Sequence, residues 1–121
     1  MMKQFIVISI ILIIIDIIYL SLIGGSPFIK MIETIQIDKV KINYISALFA
    51  YFFLVSMLYI FIIKKKASNT DAFILGILTY GIFDFTNMAL FKKYDLLIAL
   101  QDTLWGGVLF LLVNVIFKKI F

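Results

Sequence analysis

Leu78–Asn87 reads LTYGIFDFTN, an apolar run that nevertheless carries a phenol, a carboxylate, a hydroxyl and an amide. Its flanks are apolar enough for the whole stretch to cross a bilayer. An aspartate at the centre of a membrane helix costs roughly 2.5–3.5 kcal/mol on insertion scales, so a chain that keeps one there has a use for it. On a helix, Tyr80, Asp84 and Asn87 fall at i, i+4 and i+7 and share one face, with Thr86 beside them. Two further aspartates, Asp16 and Asp102, stand in equally apolar surroundings. The fold follows from asking how the chain brings them together.

The composition leaves one class open. The chain has 121 residues, 64% of them hydrophobic, and a mean hydropathy of +1.18, far outside the soluble range. There is no cysteine and no histidine, which excludes disulfides, thiolate chemistry, imidazole bases and the usual zinc ligands. The net charge of +4 rests on lysines alone, set in short clusters beside apolar runs. That is how membrane flanks look, and it is unlike a nucleic-acid face.

Outward from Asp84, the expected fold is all-α, with spans at about 4–23, 42–63, 72–91 and 96–117. Each is long enough for roughly 30 Å of hydrocarbon at 1.5 Å per residue. The first run is too long for a secretory leader, and Asp16 sits where such a leader has none. Gly24-Gly25 is expected to end the first helix by taking the left-handed conformation. Ser26-Pro27 would then start a short interfacial helix over 27–37 with Phe28, Ile32 and Ile35 on one stripe, or an ordinary loop with apolar residues beneath it. The segment 92–95 is so short that the third and fourth spans are antiparallel neighbours. Lys3, Lys64–Lys66, Lys118 and Lys119 flank one membrane face; Lys30, Lys39, Lys41, Lys92 and Lys93 flank the other. Six against five, plus the amino terminus, places both termini in the cytoplasm.

Depth then groups the acids. Asp16 and Asp84 each lie about seven residues before the end of a span and Asp102 about six after the start of one, so all three sit roughly 9–11 Å below the same face. Donors at helical spacing are Tyr19 for Asp16, Tyr80 for Asp84 and Trp105 for Asp102, with Thr86 and Asn87 as further partners. No lysine lies within the apolar runs at that depth. Two carboxylates about 5 Å apart repel by roughly 3 kcal/mol at an effective dielectric near 20, so either protons are shared, a cation sits between them, or a loop lysine such as Lys92 or Lys93 reaches in. Gly76, Gly106, Gly107 and the Ser46/Ala50 pair are small enough to be close-packing sites between helices.

Taken together, Tyr80-Gly81-x-Phe83-Asp84-Phe85-Thr86-Asn87 and Asp102-x-x-Trp105-Gly106, preceded by Asp16-x-x-Tyr19-Leu20, resemble the signature of a family of small four-span membrane proteins. That family is catalogued only as a domain of unknown function and occurs in bacteria and some viruses. The resemblance covers the whole chain and implies the four-span fold, but no activity. One departure is lysine in place of arginine on the flanks.

The best functional reading is a proton or cation channel or transporter using Asp16, Asp84 and Asp102. The alternatives are a structural or accessory membrane protein whose aspartates glue helices together, and a protein that binds a lipid or small apolar ligand. Hard oxygen ligands of this kind suit Mg²⁺ or Mn²⁺, but no residue pattern specifies a metal. No cofactor motif or phosphate-cradling loop is present, and the glycine-flanked second aspartate of an intramembrane protease is missing, so an enzyme is not expected. The expected partners are the lipid bilayer, a proton or cation and a second copy of the chain in a dimer, with no nucleic acid.

Overall fold

The apolar runs become helices because nothing else can satisfy backbone hydrogen bonds in hydrocarbon. In a computed structural model describing residues 1–121, the protein is all-α, with four helical stretches long and apolar enough to cross a membrane: Met2–Gln36, Tyr44–Ile63, Asn69–Leu90 and Leu96–Ile120. They comprise α1 (Met2–Tyr19), a π-helical turn (Leu20–Gly24), α2 (Gly25–Gln36), α3 (Tyr44–Leu58) with a second π-helical turn (Tyr59–Ile63), α4 (Asn69–Leu90) and α5 (Leu96–Ile120).

The expected break at Gly24-Gly25 does not occur. Both glycines are right-handed, with φ/ψ of −93°/−23° and −67°/−49°, and the helix runs on through a widened turn. Pro27 gives the reason. In a regular helix its ring would press on the carbonyl four residues back and leave that carbonyl without a donor, and a π turn just upstream relieves both defects. The glycines are needed for space instead. A side chain at Gly24 would collide with the Tyr19 ring, and one at Gly25 with the Leu20 carbonyl. Ser26 is not a cap either, since the cap position is Gly24 and no side chain bonds there. The left-handed residue that ends α2 is Ile37, at φ 56° and ψ 41°. An L residue adopts that conformation at a cost of about 1–2 kcal/mol.

Phe28, Ile32 and Ile35 do share the inner stripe of α2. They pack with buried Met31 against Tyr94 and Ala99, so the helix caps one end of the α4–α5 pair. Beyond Ile37 the chain is tied back locally, with the Val40 amide donating to Glu33 and the Gln36 side chain donating to the carbonyls of Asp38 and Lys39.

The remaining helix starts are capped in the ordinary way. Asn43 accepts from the Ser46 amide, Ser68 from that of Asp71, and Asp95 from those of Leu97 and Ile98. Ser68 is why α4 begins at Asn69, earlier than the expected 72. Between α4 and α5 the backbones nearly touch. A Cβ on Gly76 would run into the Gly106 carbonyl, one on Gly106 into the Tyr80 ring, and one on Gly107 into Ile77 and Phe73. Small residues permit such close approach, which drives helix association where lipid and side chain are equally apolar. Gly106 and Gly107 are thus used within the chain and are not free to join a second copy. Ser46 and Ala50 are both exposed on α3 and are not buried between helices of this chain.

α1 lies between α3 and α5. Towards the end of the bundle that holds both termini, Ile8, Leu12, Val55, Leu58, Leu109, Phe110 and Val113 fill the interior completely. A side-chain hydrogen bond between Asn114 and Asn69, at 2.8 Å, joins α5 to the start of α4 there.

Candidate functional site

The other end of the bundle holds the acids. Asp16, on the inner face of α1, accepts from the Tyr51 hydroxyl of α3 at 2.5 Å and from the Trp105 indole of α5 at 2.8 Å. One carboxylate thereby ties three helices together. Asp84 on α4 is fully buried. It accepts from Tyr94, in the α4–α5 turn, at 2.8 Å and from Thr103 on α5 at 3.2 Å. Asp102 lies within hydrogen-bonding reach of Asp84, and Asp16 is near enough to act on it electrostatically. All three therefore face the interior, but they are not equivalent. Asp16 has its own pair of donors, Asp84 has another, and Asp102 has Asp84. The three do not converge into a cluster that could hold a metal ion.

The same-helix partners expected from spacing are replaced by partners from other elements. Tyr19 does not bond Asp16. It accepts from Gln101 at 3.1 Å and stacks flat on Trp105, with ring centroids 3.9 Å apart and planes 5° from parallel. Trp105 serves Asp16 rather than Asp102. Tyr80 packs edge-on against Phe110 and is not among the donors to Asp84. Thr86 is exposed, and the Asn87 carbonyl accepts the backbone N–H that closes α4. The donors that do serve the acids and were not expected are Tyr51, Tyr94 and Thr103. For Tyr51 a signal existed: it stands seven residues into α3, roughly 10 Å deep, level with the aspartates.

Tyr94 is nearly inaccessible, with 4% of its surface exposed. Burial, and then its hydrogen bond to Asp84, push the phenol above its ordinary value, so it remains a proton donor throughout the physiological range.

Beside this layer is a cavity of about 640 Å³, walled by the α1–α2 bend, α3, α4 and α5. The widened turn at Leu20–Gly24 and the glycines after it help to make the room. Most of its lining is apolar, including Phe28, Phe53, Leu54, Met57 and Phe83, whereas Asp102, Gln101 and Tyr19 form a polar patch. Its volume falls within the range of small-molecule pockets, roughly 300–1,000 Å³. An apolar chamber with a few convergent polar groups is suited to a molecule with one wet end and one oily end.

No curated protein and no solved structure matches the chain. A family model described as "Predicted membrane protein (DUF2177)" matches residues 1–117, and the chain accordingly belongs to that family of membrane proteins of unknown function.

Proposed function

We propose that the protein binds a small amphiphile drawn from the bilayer, with its apolar part in the cavity and its polar end against Asp102. The observation that carries this reading is the cavity itself, apolar along most of its lining and carboxylate-bearing at one point, at a depth where the bilayer supplies apolar ligands. An ion path accounts for the arrangement less well. Below the acids the interior is closed by Ile8, Leu12, Leu58, Leu109, Phe110 and Val113, each with 0% exposure, and a conducting route would need water or polar groups there. Helix glue describes Asp16, whose two donors come from two other helices, but it leaves the cavity without a role. Six lysines against five favour both termini in the cytoplasm, an orientation that would set the cavity in the outer half of the membrane.

Trp105 is the only tryptophan and stacks on Tyr19, which lines the cavity. Its fluorescence therefore reports occupancy. Protein in neutral phosphatidylcholine nanodiscs, titrated with dodecanol, should show a saturable change. Ala50→Phe, which projects a ring into the cavity from α3, should abolish that change without lowering the melting temperature. An identical, non-saturating response in both proteins would rule the reading out.

A further inference from the structure

The polar patch of the cavity is unbalanced, and the imbalance specifies a head group. We infer that the amphiphile carries a protonated amine, and that the ammonium docks against the Asp102 carboxyl in the cavity wall. This rests on the cavity being a binding site. It goes further by naming the class of molecule the site selects.

Donors are unevenly shared among the three acids. Each oxygen of Asp16 receives one, from Tyr51 and Trp105, and each oxygen of Asp84 receives one, from Tyr94 and Thr103. Asp102 lines the cavity, and its carboxyl neighbour is Asp84. The groups near Asp102 are Asp16 and Tyr19 on α1, Tyr80 and Asp84 on α4 and Tyr94 from the turn, and none of them is a cation. Gln101 directs its amide nitrogen to the Tyr19 oxygen, which leaves its carbonyl oxygen as a further acceptor. The patch thus offers acceptors in excess, with the Tyr19 O–H as its spare donor.

Charge favours the same head group, since Asp102 lies in the cavity lining and no lysine does. An ammonium brings three donors to a site short of them. A carboxylate or sulfate head group would bring only acceptors and a like charge.

The test compares three probes of one chain length, dodecylamine, dodecanol and dodecanoate, by Trp105 fluorescence in the same neutral nanodiscs, with empty nanodiscs subtracted. Charge-assisted hydrogen bonds predict that the wild type binds dodecylamine roughly tenfold or more tightly than dodecanol, and dodecanoate weakest. Asp102→Asn should lose the preference for the amine while retaining dodecanol. If dodecylamine and dodecanol bind alike, or if Asp102→Asn keeps the preference, the head-group inference is wrong and the cavity reading stands. If no probe binds saturably, both fall. The wild-type comparison decides the matter even if Asp102→Asn does not fold.

Discussion

The two ends of this bundle are built from the same helices and held together by different means. At the end bearing the termini, seven buried residues of α1, α3 and α5, from Ile8 to Val113, pack together, with the Asn114–Asn69 hydrogen bond beside them. At the other end, helices are joined by Tyr51 and Trp105 on Asp16 and by Tyr94 and Thr103 on Asp84, beside a cavity of about 640 Å³. In hydrocarbon the hydrophobic effect does not drive helices together, so contact density and hydrogen bonds must do so. The packed end has the density. The acidic end gives some of it up for the cavity, and hydrogen bonds to carboxylates hold the helices apart at the required spacing. Dense packing and the cavity thereby lie at opposite ends of the molecule.

The largest effect should come from the point that both ends share. Gly76→Leu places side-chain carbon where the Gly106 carbonyl already lies. Overpacking costs about 1–3 kcal/mol even when side chains can yield, and here a backbone would have to. We expect loss of the folded, monodisperse species, read by size-exclusion chromatography and thermal melting in mild detergent. A variant that melts like the wild type would show that the α4–α5 contact does not set the spacing of the ends.

Ile8→Ala probes the packed end alone. It truncates a fully buried side chain and should cost about 3 kcal/mol, measured by denaturant unfolding in micelles. Dodecanol binding in the same variant should be unchanged. If binding falls in step with stability, the two ends are not separable.

The smallest change is expected at the acidic end. Tyr94→Phe deletes a hydrogen bond to a carboxylate and should cost about 1–2 kcal/mol near neutral pH. Its signature is in the pH dependence. The folded-state pKa of Tyr94 is raised above its unfolded value by burial and by Asp84. Its contribution is therefore complete below about pH 10 and is lost as pH rises beyond that towards the folded value. The melting temperature of the wild type should fall more steeply above pH 10 than that of Tyr94→Phe, and the two curves should converge. Parallel curves would mean that the Tyr94 phenol does not hold its proton more tightly in the folded state.

By itself the sequence determined that this is an all-α membrane protein with four spans, since run length and hydropathy suffice for that. It also placed Asp16, Asp84 and Asp102 at one depth, because rise per residue converts position into distance. Spacing along a helix, however, specifies only neighbours on that helix. It assigned Tyr19, Tyr80 and Trp105 to the aspartate nearest in sequence, whereas Trp105 bonds across to α1 and Tyr19 turns to Gln101. Which side chains meet across a bundle depends on how each helix is rotated about its axis. Here that rotation is set by the glycine contact of α4 with α5 and by the packed residues of α1, α3 and α5. The cavity was equally hidden. Part of its wall is the helix running on past Gly24-Gly25, a pair that local propensity alone reads as a stop.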